Sequence, residues 1–201
     1  MPMQKPFSQA CENNKDPILS VLRDRLTKPA RVLEIGAGTG QHAEHFAAAL
    51  PHLHWVPTDM ARNIPHCRLR IEDAALPNLD SPLALDVTQW PWPVAGHDNV
   101  YSANTAHIMH WPVVEAMFRG VAASLPPEGV FLLYGPFADN GRHTSDSNRQ
   151  FDAALRRRDP GMGVRDTSDL RRLAGKVDLR LAEDLPLPAN NRILVFRRST
   201  D

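Results

Sequence analysis

The sequence predicts a doubly wound α/β fold, and three observations carry that prediction. Short apolar, β-branched runs alternate about five times with stretches of helical periodicity. The first run stops at a glycine-rich turn that opens straight into an amphipathic segment. The chain ends in two apolar runs joined by a turn, the pattern of an antiparallel hairpin at the edge of a sheet. At 201 residues there is room for one ordinary domain with a full core, so residues 1–28 are expected to form an N-terminal cap and helix and residues 29–201 the α/β core of a single domain.

Taken in order, Asp16 before Pro17 reads as an N-cap followed by a proline in the first turn. Ile18, Leu19, Leu22 and Leu26 then give an apolar face, so a helix is expected over 17–27. Residues 31–35 form the first strand, which stops at Gly36-Ala37-Gly38-Thr39-Gly40; Ala43, Phe46, Ala47 and Leu50 then recur at helical spacing. A second strand over 54–58 ends in Asp59, a third over 83–86 ends in Asp86-Val87, and a fourth over 99–103 ends in Asn104. Val113, Met117 and Val121 mark a helix, and residues 129–134 a fifth strand closed by Gly135-Pro136. Residues 138–147 read as a polar loop, followed by one helix carrying Phe151, Ala154 and Leu155 and another, starting at Asp166 or Thr167, carrying Leu170, Leu173 and Ala174. The hairpin pairs 177–185 with 192–198.

Composition narrows the function. Lys plus Arg and Asp plus Glu are 23 each, so the chain lacks the basic footprint of a nucleic-acid or anionic-membrane binder. Cys11 and Cys67 stand far apart and the first residues are polar, which together lead to the expectation of a reduced, cytoplasmic protein. The nine histidines include pairs such as His42/His45 and His107/His110, but none has the context of a metal site, and no metal is expected. Proline is in excess at 18 residues, and Pro57, Pro91, Pro93, Pro112 and Pro136 are expected at or just beyond strand ends, stiffening a pocket rim.

In an open α/β sheet a ligand sits beyond the carboxyl ends of the strands, which points to the turn at 36–40. A dinucleotide fingerprint needs a glycine at the sixth position, where this chain has Gln41. Instead Glu34 stands two residues before the first of three alternating glycines, and the turn resembles the first motif of the class I S-adenosylmethionine-dependent methyltransferases. Bare backbone at the glycines allows close approach, and a nearby carboxylate suits a ligand carrying an ammonium and a sulfonium. Asp59, at the end of the second strand, is placed to accept both ribose hydroxyls, or alternatively to cap its own turn; Asp86-Val87 matches a contact to the adenine, with an Asx turn as the alternative.

The likeness extends over most of the chain, through segments that include 14–19, 55–59, 104–111, 134–137, Asn140-Gly141, Ser147-Asn148 with Phe151-Asp152, and 163–166. In this order they resemble a methyltransferase-like family of bacteria and animals without an agreed substrate. The resemblance implies a Rossmann-like, seven-stranded, mostly parallel sheet with an antiparallel edge hairpin. It also implies S-adenosylmethionine held by Asn14, Glu34, Gly36, Ala37, Gly38, Gly40, Asp59, Asp86, Val87 and Asn104. Thr58, where the family suggests serine, and Met162, where an aromatic is common, are small departures.

Methyl transfer from a sulfonium is a direct displacement in which protein groups mainly align the reactants. Asn104 is expected beside the methyl group. His107 and His110, three apart on one expected helical face, offer a general base, with His107 preferred and a purely structural histidine as the alternative. Tyr134 is a second candidate to orient substrate. Residues 139–147 offer a specificity loop hinged at Gly141, and Arg156-Arg157-Arg158 a solvated face. The expectation is a methyltransferase for a small-molecule acceptor; the rivals are a non-catalytic S-adenosylmethionine-binding module and an NAD(P)-dependent reductase.

Overall fold

The computed structural model describes residues 5–199, and they divide into two compact units. The first runs up to Asp86 and adds Pro93–Tyr101. It holds α1 (Gln9–Arg25), β1 (Ala30–Ile35), α2 (Gln41–Ala49), β2 (Leu53–Asp59), α3 (Ile64–Ala74), β3 (Leu83–Ala84) and the start of β4 (Asn99–Ala103). The second comprises Val87–Trp92 and the chain from Ser102. It holds α4 (Trp111–Ser124), β5 (Val130–Gly135), β6 (Phe137–Asp139), β7 (Arg142–His143), α5 (Asp146–Arg158), β8 (Arg165–Asp166), α6 (Thr167–Gly175), β9 (Leu179–Leu187) and β10 (Asn191–Arg198). The strands form the expected seven-stranded, mostly parallel sheet in the order β3-β2-β1-β4-β5-β10-β9, and a small sheet in the order β7-β6-β8. The C-terminal hairpin lies at the edge, with β9 outermost and the reversed strand β10 one place in, antiparallel to both β5 and β9.

Several elements differ from the sequence expectation, each for a physical reason. α1 starts at Gln9 rather than at Pro17, because Ser8 caps it: its hydroxyl accepts from the Cys11 N–H at 3.3 Å. Pro17 lies inside the helix and costs one intrahelical bond. Burial of Asn14, Ile18, Leu19 and Leu22 along one face outweighs that cost. α3 was not expected; Pro65 masked it, although Ile64, Cys67 and Ile71 line its buried face and a proline is tolerated in a first turn. Within the stretch 138–147, residues 138–143 form a hairpin and 146–147 already belong to α5: β6 pairs with β7 across Asn140 and Gly141 at φ 49° and 78°, backbone that asparagine and glycine adopt readily. α5 buries Asn148, Asp152 and Leu155 and leaves Phe151 exposed, because its inward polar groups satisfy neighbouring backbone: Asn148 donates to the Asn190 carbonyl and Asp152 accepts from the Val164 N–H. Its three final arginines are exposed.

Pro57 sits within β2 rather than at its end. The Trp55 N–H points outward, to the Asn78 carbonyl, and two residues on the missing N–H of Pro57 falls on the same side, before β3 begins to pair at Thr58. Pro186 is likewise within β9, where an edge strand can spare a donor. No helix among the described residues is long and apolar enough to cross a membrane.

Gly120 in α4 is required by packing. A Cβ there would lie 2.0 Å from Cζ2 of the buried Trp92, whereas a Cβ on Gly175 of α6 would meet nothing within 4 Å. Gly120→Ala is therefore expected to destabilise the protein by about 1–2 kcal/mol in chemical denaturation, the overpacking cost exceeding the helix-propensity gain. Gly175→Ala should be neutral or slightly stabilising in the same measurement.

Candidate functional site

β1 and β2 run parallel with Glu34 opposite Pro57 and Ile35 opposite Thr58, so the glycine turn leaves β1 beside the end of β2. That end holds the turn. The Gly36 and Ala37 N–H groups both donate to the Thr58 carbonyl at 2.9 Å, the Gly38 N–H donates to Asp59 Oδ2 at 2.8 Å, and the Gly40 N–H donates to the Ala37 carbonyl. Gly36, Gly38 and Gly40 all take positive φ, 80°, 56° and 76°, which explains the alternation. A Cβ on Gly40 would press to 3.2 Å from Cys67 Cβ of α3, while the space beside Gly38 is open.

Asp59 is immobilised from two sides: Oδ2 takes Gly38, and Oδ1 takes the Met60 N–H at 2.7 Å and Asn63 Nδ2 at 2.8 Å. Both the turn cap read as an alternative and an anchor for the glycine turn are thus present in one side chain. Glu34 is buried and accepts from the Trp55 indole N–H at 2.8 Å. Burial pushes its carboxyl up to about 7, the indole N–H pulling the other way and the Asp59 charge adding to the rise.

Asn14 is spent on a buried histidine: with its Oδ1 as acceptor at 2.7 Å, His42 carries its proton on Nε2, and Nδ1 accepts from the Tyr101 hydroxyl at 3.2 Å. Burial holds His42 down to about 4. Two residues absent from the sequence reading of the site tie the N-terminus to the turn. Gln41 accepts from the Ser8 N–H and the Thr39 hydroxyl, and Arg70 of α3 donates to the carbonyls of Thr39 and Pro6. The signal for Gln41 was its place in the sixth position of the motif; Arg70 lay on the helix that the sequence concealed. Asp86 is half-buried just beyond Leu85, whose N–H donates to the Asp59 carbonyl.

The remaining expected residues belong to the second unit. Val87 is buried, and its carbonyl accepts from the Trp92 indole. Asn104 takes φ 57° and donates its N–H to the Tyr134 carbonyl at 3.0 Å; Tyr134 itself is buried in β5. His107 and His110 do not share a helical face. Residues 105–109 form a turn closed on the Thr105 carbonyl, and α4 starts only at Trp111, since the Pro112 ring would clash with the Ile108 carbonyl in a continued helix. His107 is buried edge-on to Phe151 at 5.1 Å, whereas His110 is exposed and bonded to Asp159 at 2.8 Å. Burial, and then the Arg165 charge, hold His107 down to about 4, well below where a general base works best near neutrality.

Residues 163–166 organise this region. The Gly163 N–H donates to the His107 carbonyl at 2.9 Å and the Val164 N–H to Asp152 at 2.7 Å. Arg165 donates to the carbonyls of Ala106, Met109 and Gly161, and Asp166 accepts from the N–H groups of Asn140 and Gly141. A cavity of about 640 Å³ is lined by Trp111, Gly141, His143, Asp152, Arg165 and Asp166 among others, but by neither His107 nor Tyr134.

The buried titrating groups oppose one another. His42 and His107 bind fewer protons folded than unfolded between about 4 and 6.5, so their contribution is present above 6.5 and lost as pH falls through about 4. Glu34 binds more protons folded between 4.5 and about 7, so its contribution is present below 4.5 and lost as pH rises through about 7. Denaturation midpoints across pH 4–7 should therefore steepen in Glu34→Gln and flatten in His42→Gln and His107→Gln.

The chain is similar in structure to the mitomycin 7-O-methyltransferase MmcR, with a TM-score of 0.82 at 20% identity over 94% of this chain and 54% of that one. It is also similar to an O-methyltransferase family protein from Burkholderia thailandensis, with a TM-score of 0.80 at 14% identity over 95% of this chain and 58% of that one. A third likeness is to human N-acetylserotonin methyltransferase in complex with SAM, with a TM-score of 0.79 at 14% identity over 96% and 53%. The chain thus spans little more than half the length of these proteins, and the likeness is one of fold. The family model described as protein of unknown function DUF938 matches residues 5–198, and the chain belongs to that family.

Proposed function

We propose that the protein is a cytoplasmic S-adenosylmethionine-dependent methyltransferase acting on a small-molecule acceptor by direct displacement. The observation that carries this reading is the accounting of the glycine turn. The N–H groups of Gly36, Ala37, Gly38 and Gly40 are already spent within the protein, so the turn has few donors left for a pyrophosphate, while two carboxyl groups, Glu34 and Asp59, flank it. That donor set fits a cationic ligand with ribose hydroxyls and argues against the nicotinamide reading. Structural likeness to methyltransferases, one of them solved with SAM, supports it.

When bound, the cofactor supplies an activated methyl group on a cationic sulfur. The open backbone at Gly38 leaves space for close approach, and Asp59, fixed by three donors, keeps one acceptor position on Oδ2 for a ribose hydroxyl. Glu34 offers a carboxylate whose ionisation a nearby cation favours, and Asp86 with Val87 an acidic and apolar pair for the adenine. Asn104, His107 and Tyr134 are the acceptor-side groups in this reading. One observation favours the second reading, a module that binds the cofactor without turnover: His107 is held too low to serve as an efficient base near neutrality.

Calorimetry should show binding of S-adenosylmethionine and S-adenosylhomocysteine and none of NAD; the reverse pattern would overturn the proposal. Asp59→Ala should weaken cofactor binding by about 1.5–3 kcal/mol through loss of charge-assisted hydrogen bonds. Because Glu34 ionises near 7 and its anion favours a cationic ligand, wild-type affinity should rise between pH 6 and 8 relative to Glu34→Gln measured in the same buffers. Parallel pH profiles for the two proteins would remove Glu34 from the site.

A further inference from the structure

The 640 Å³ cavity of the second unit is lined by charges that are unevenly satisfied. Its carboxylates are all engaged. Asp152 takes the Val164 N–H and Arg156, and Asp169 pairs with Arg172 at 3.2 Å. Asp166 takes the N–H groups of Asn140, Gly141 and Ser168, and Glu115 takes the Trp111 indole N–H at 3.1 Å. Among the cations, Arg156 and Arg172 are answered by those carboxylates. Arg165 is not: it donates from Nε and Nη2 to three backbone carbonyls, and among the described residues its Nη1 has no hydrogen-bond partner and its charge no carboxylate ion pair. The Lys176 ammonium likewise has neither among the described residues, although it lines the same cavity.

We propose that this cavity binds the carboxylate or phosphate group of a small molecule on Arg165 and Lys176. An anion gains donors there without displacing an existing bond, whereas a cation would have to compete for carboxylates already holding protein donors. Arg165 is half-buried and held by three carbonyls and by its place over the Trp111 ring at 5.9 Å, so little side-chain freedom is lost on binding. Desolvation and then the nearby Arg156 disfavour its charge, the Asp152 carboxylate offsets them only in part, and a bound anion relieves the remaining cost. The half-buried Trp111 indole gives the ligand's apolar part a flat surface beside the anionic group. Neither His107 nor Tyr134 lines the cavity, so the site is distinct from these acceptor-side residues. Arg165 nevertheless joins the two, because the carbonyls it holds flank His107 in the chain.

The test is NMR titration of the full chain at low ionic strength, following Arg165 Nε–H and Trp111 Nε1–H. Inorganic phosphate and benzoate serve as probes, with benzylamine as the cationic control. Saturable shifts with phosphate or benzoate and none with benzylamine are expected, and the tighter of the two probes identifies the group. Lys176→Met should weaken that binding at least about tenfold, and Arg165→Met should abolish it. If Arg165→Met loosens the turn it holds, Lys176→Met decides, since among the described residues the Lys176 side chain holds no other group in place. No saturable shift at tens of millimolar, equal shifts with benzylamine, or undiminished binding in Lys176→Met would overturn the proposal.

Discussion

One backbone carbonyl, that of Thr58, accepts the N–H groups of both Gly36 and Ala37, and the next residue's carboxylate accepts that of Gly38. The glycine turn is therefore shaped by the end of β2 and not by its own sequence alone. This contact exists only in the register that sets Ile35 opposite Thr58. A slip of one residue would turn Glu34 and its neighbours to the other face of the sheet and separate the three amides from their acceptors. Register is in turn held by what β2 buries. Trp55 packs against Phe46 at 5.4 Å and Tyr101 at 5.6 Å, and those two rings meet each other at 5.6 Å. The aromatic triad couples α2, β2 and the start of β4, and through it the turn is tied to the core of its unit.

The same triad carries the buried polar groups. The Trp55 indole donates to Glu34 and the Tyr101 hydroxyl to His42, so two of the three rings present a polar edge to a titratable partner. A carboxyl in such a place is costly to ionise, and a core built only for stability would have an apolar side chain there. His42 is more nearly self-sufficient, with Asn14 and Tyr101 satisfying both ring nitrogens. The contrast separates them: His42 is a satisfied structural link between α1, α2 and β4, whereas Glu34 is a perturbed carboxyl beside a turn with open space, the situation in which binding sites are found.

The parallel core was legible because its signals are local. The apolar run at 31–35, the alternating glycines and the helical spacing from Ala43 to Leu50 each announce one element, and the boundaries of β4 match the expectation. What was illegible depended on partners distant in sequence. Pro17 looks like a helix start until Ser8, nine residues earlier, is seen to cap the helix. The hairpin at 137–143 resembles a polar loop because its two short strands are stabilised by Asp166 and β8 rather than by their own apolar pattern. His107 and His110 have helical spacing, but Pro112 and the Thr105 carbonyl decide their backbone. In the candidate site, the glycines and carboxylates could be read from spacing, while Gln41 and Arg70 act through bonds to residues distant in sequence that no periodicity records.

The segment Gly163-Val164-Arg165-Asp166 shows how such bonds can concentrate in four residues. It meets three segments that the sequence had marked without a reason: the turn after β4, the Asn140-Gly141 turn and Asp152 of α5. Each position has a chemistry its neighbours lack. A Cβ on Gly163 would lie 2.5 Å from the Arg156 guanidinium and 2.9 Å from Asp152, so the residue must be glycine for its N–H to reach the His107 carbonyl. Arg165 must span carbonyls from residues 106 to 161 at once, which a planar fork with five donors does and a lysine's single ammonium does not. Asp166 both caps α6 and accepts the two amides of a turn whose positive φ values leave them pointing outward. Because Gly163, Arg165 and Asp166 all contact backbone of their partners, side chains at the partner positions can vary while the arrangement persists, and the segment holds the Arg165 guanidinium in one place beside the cavity.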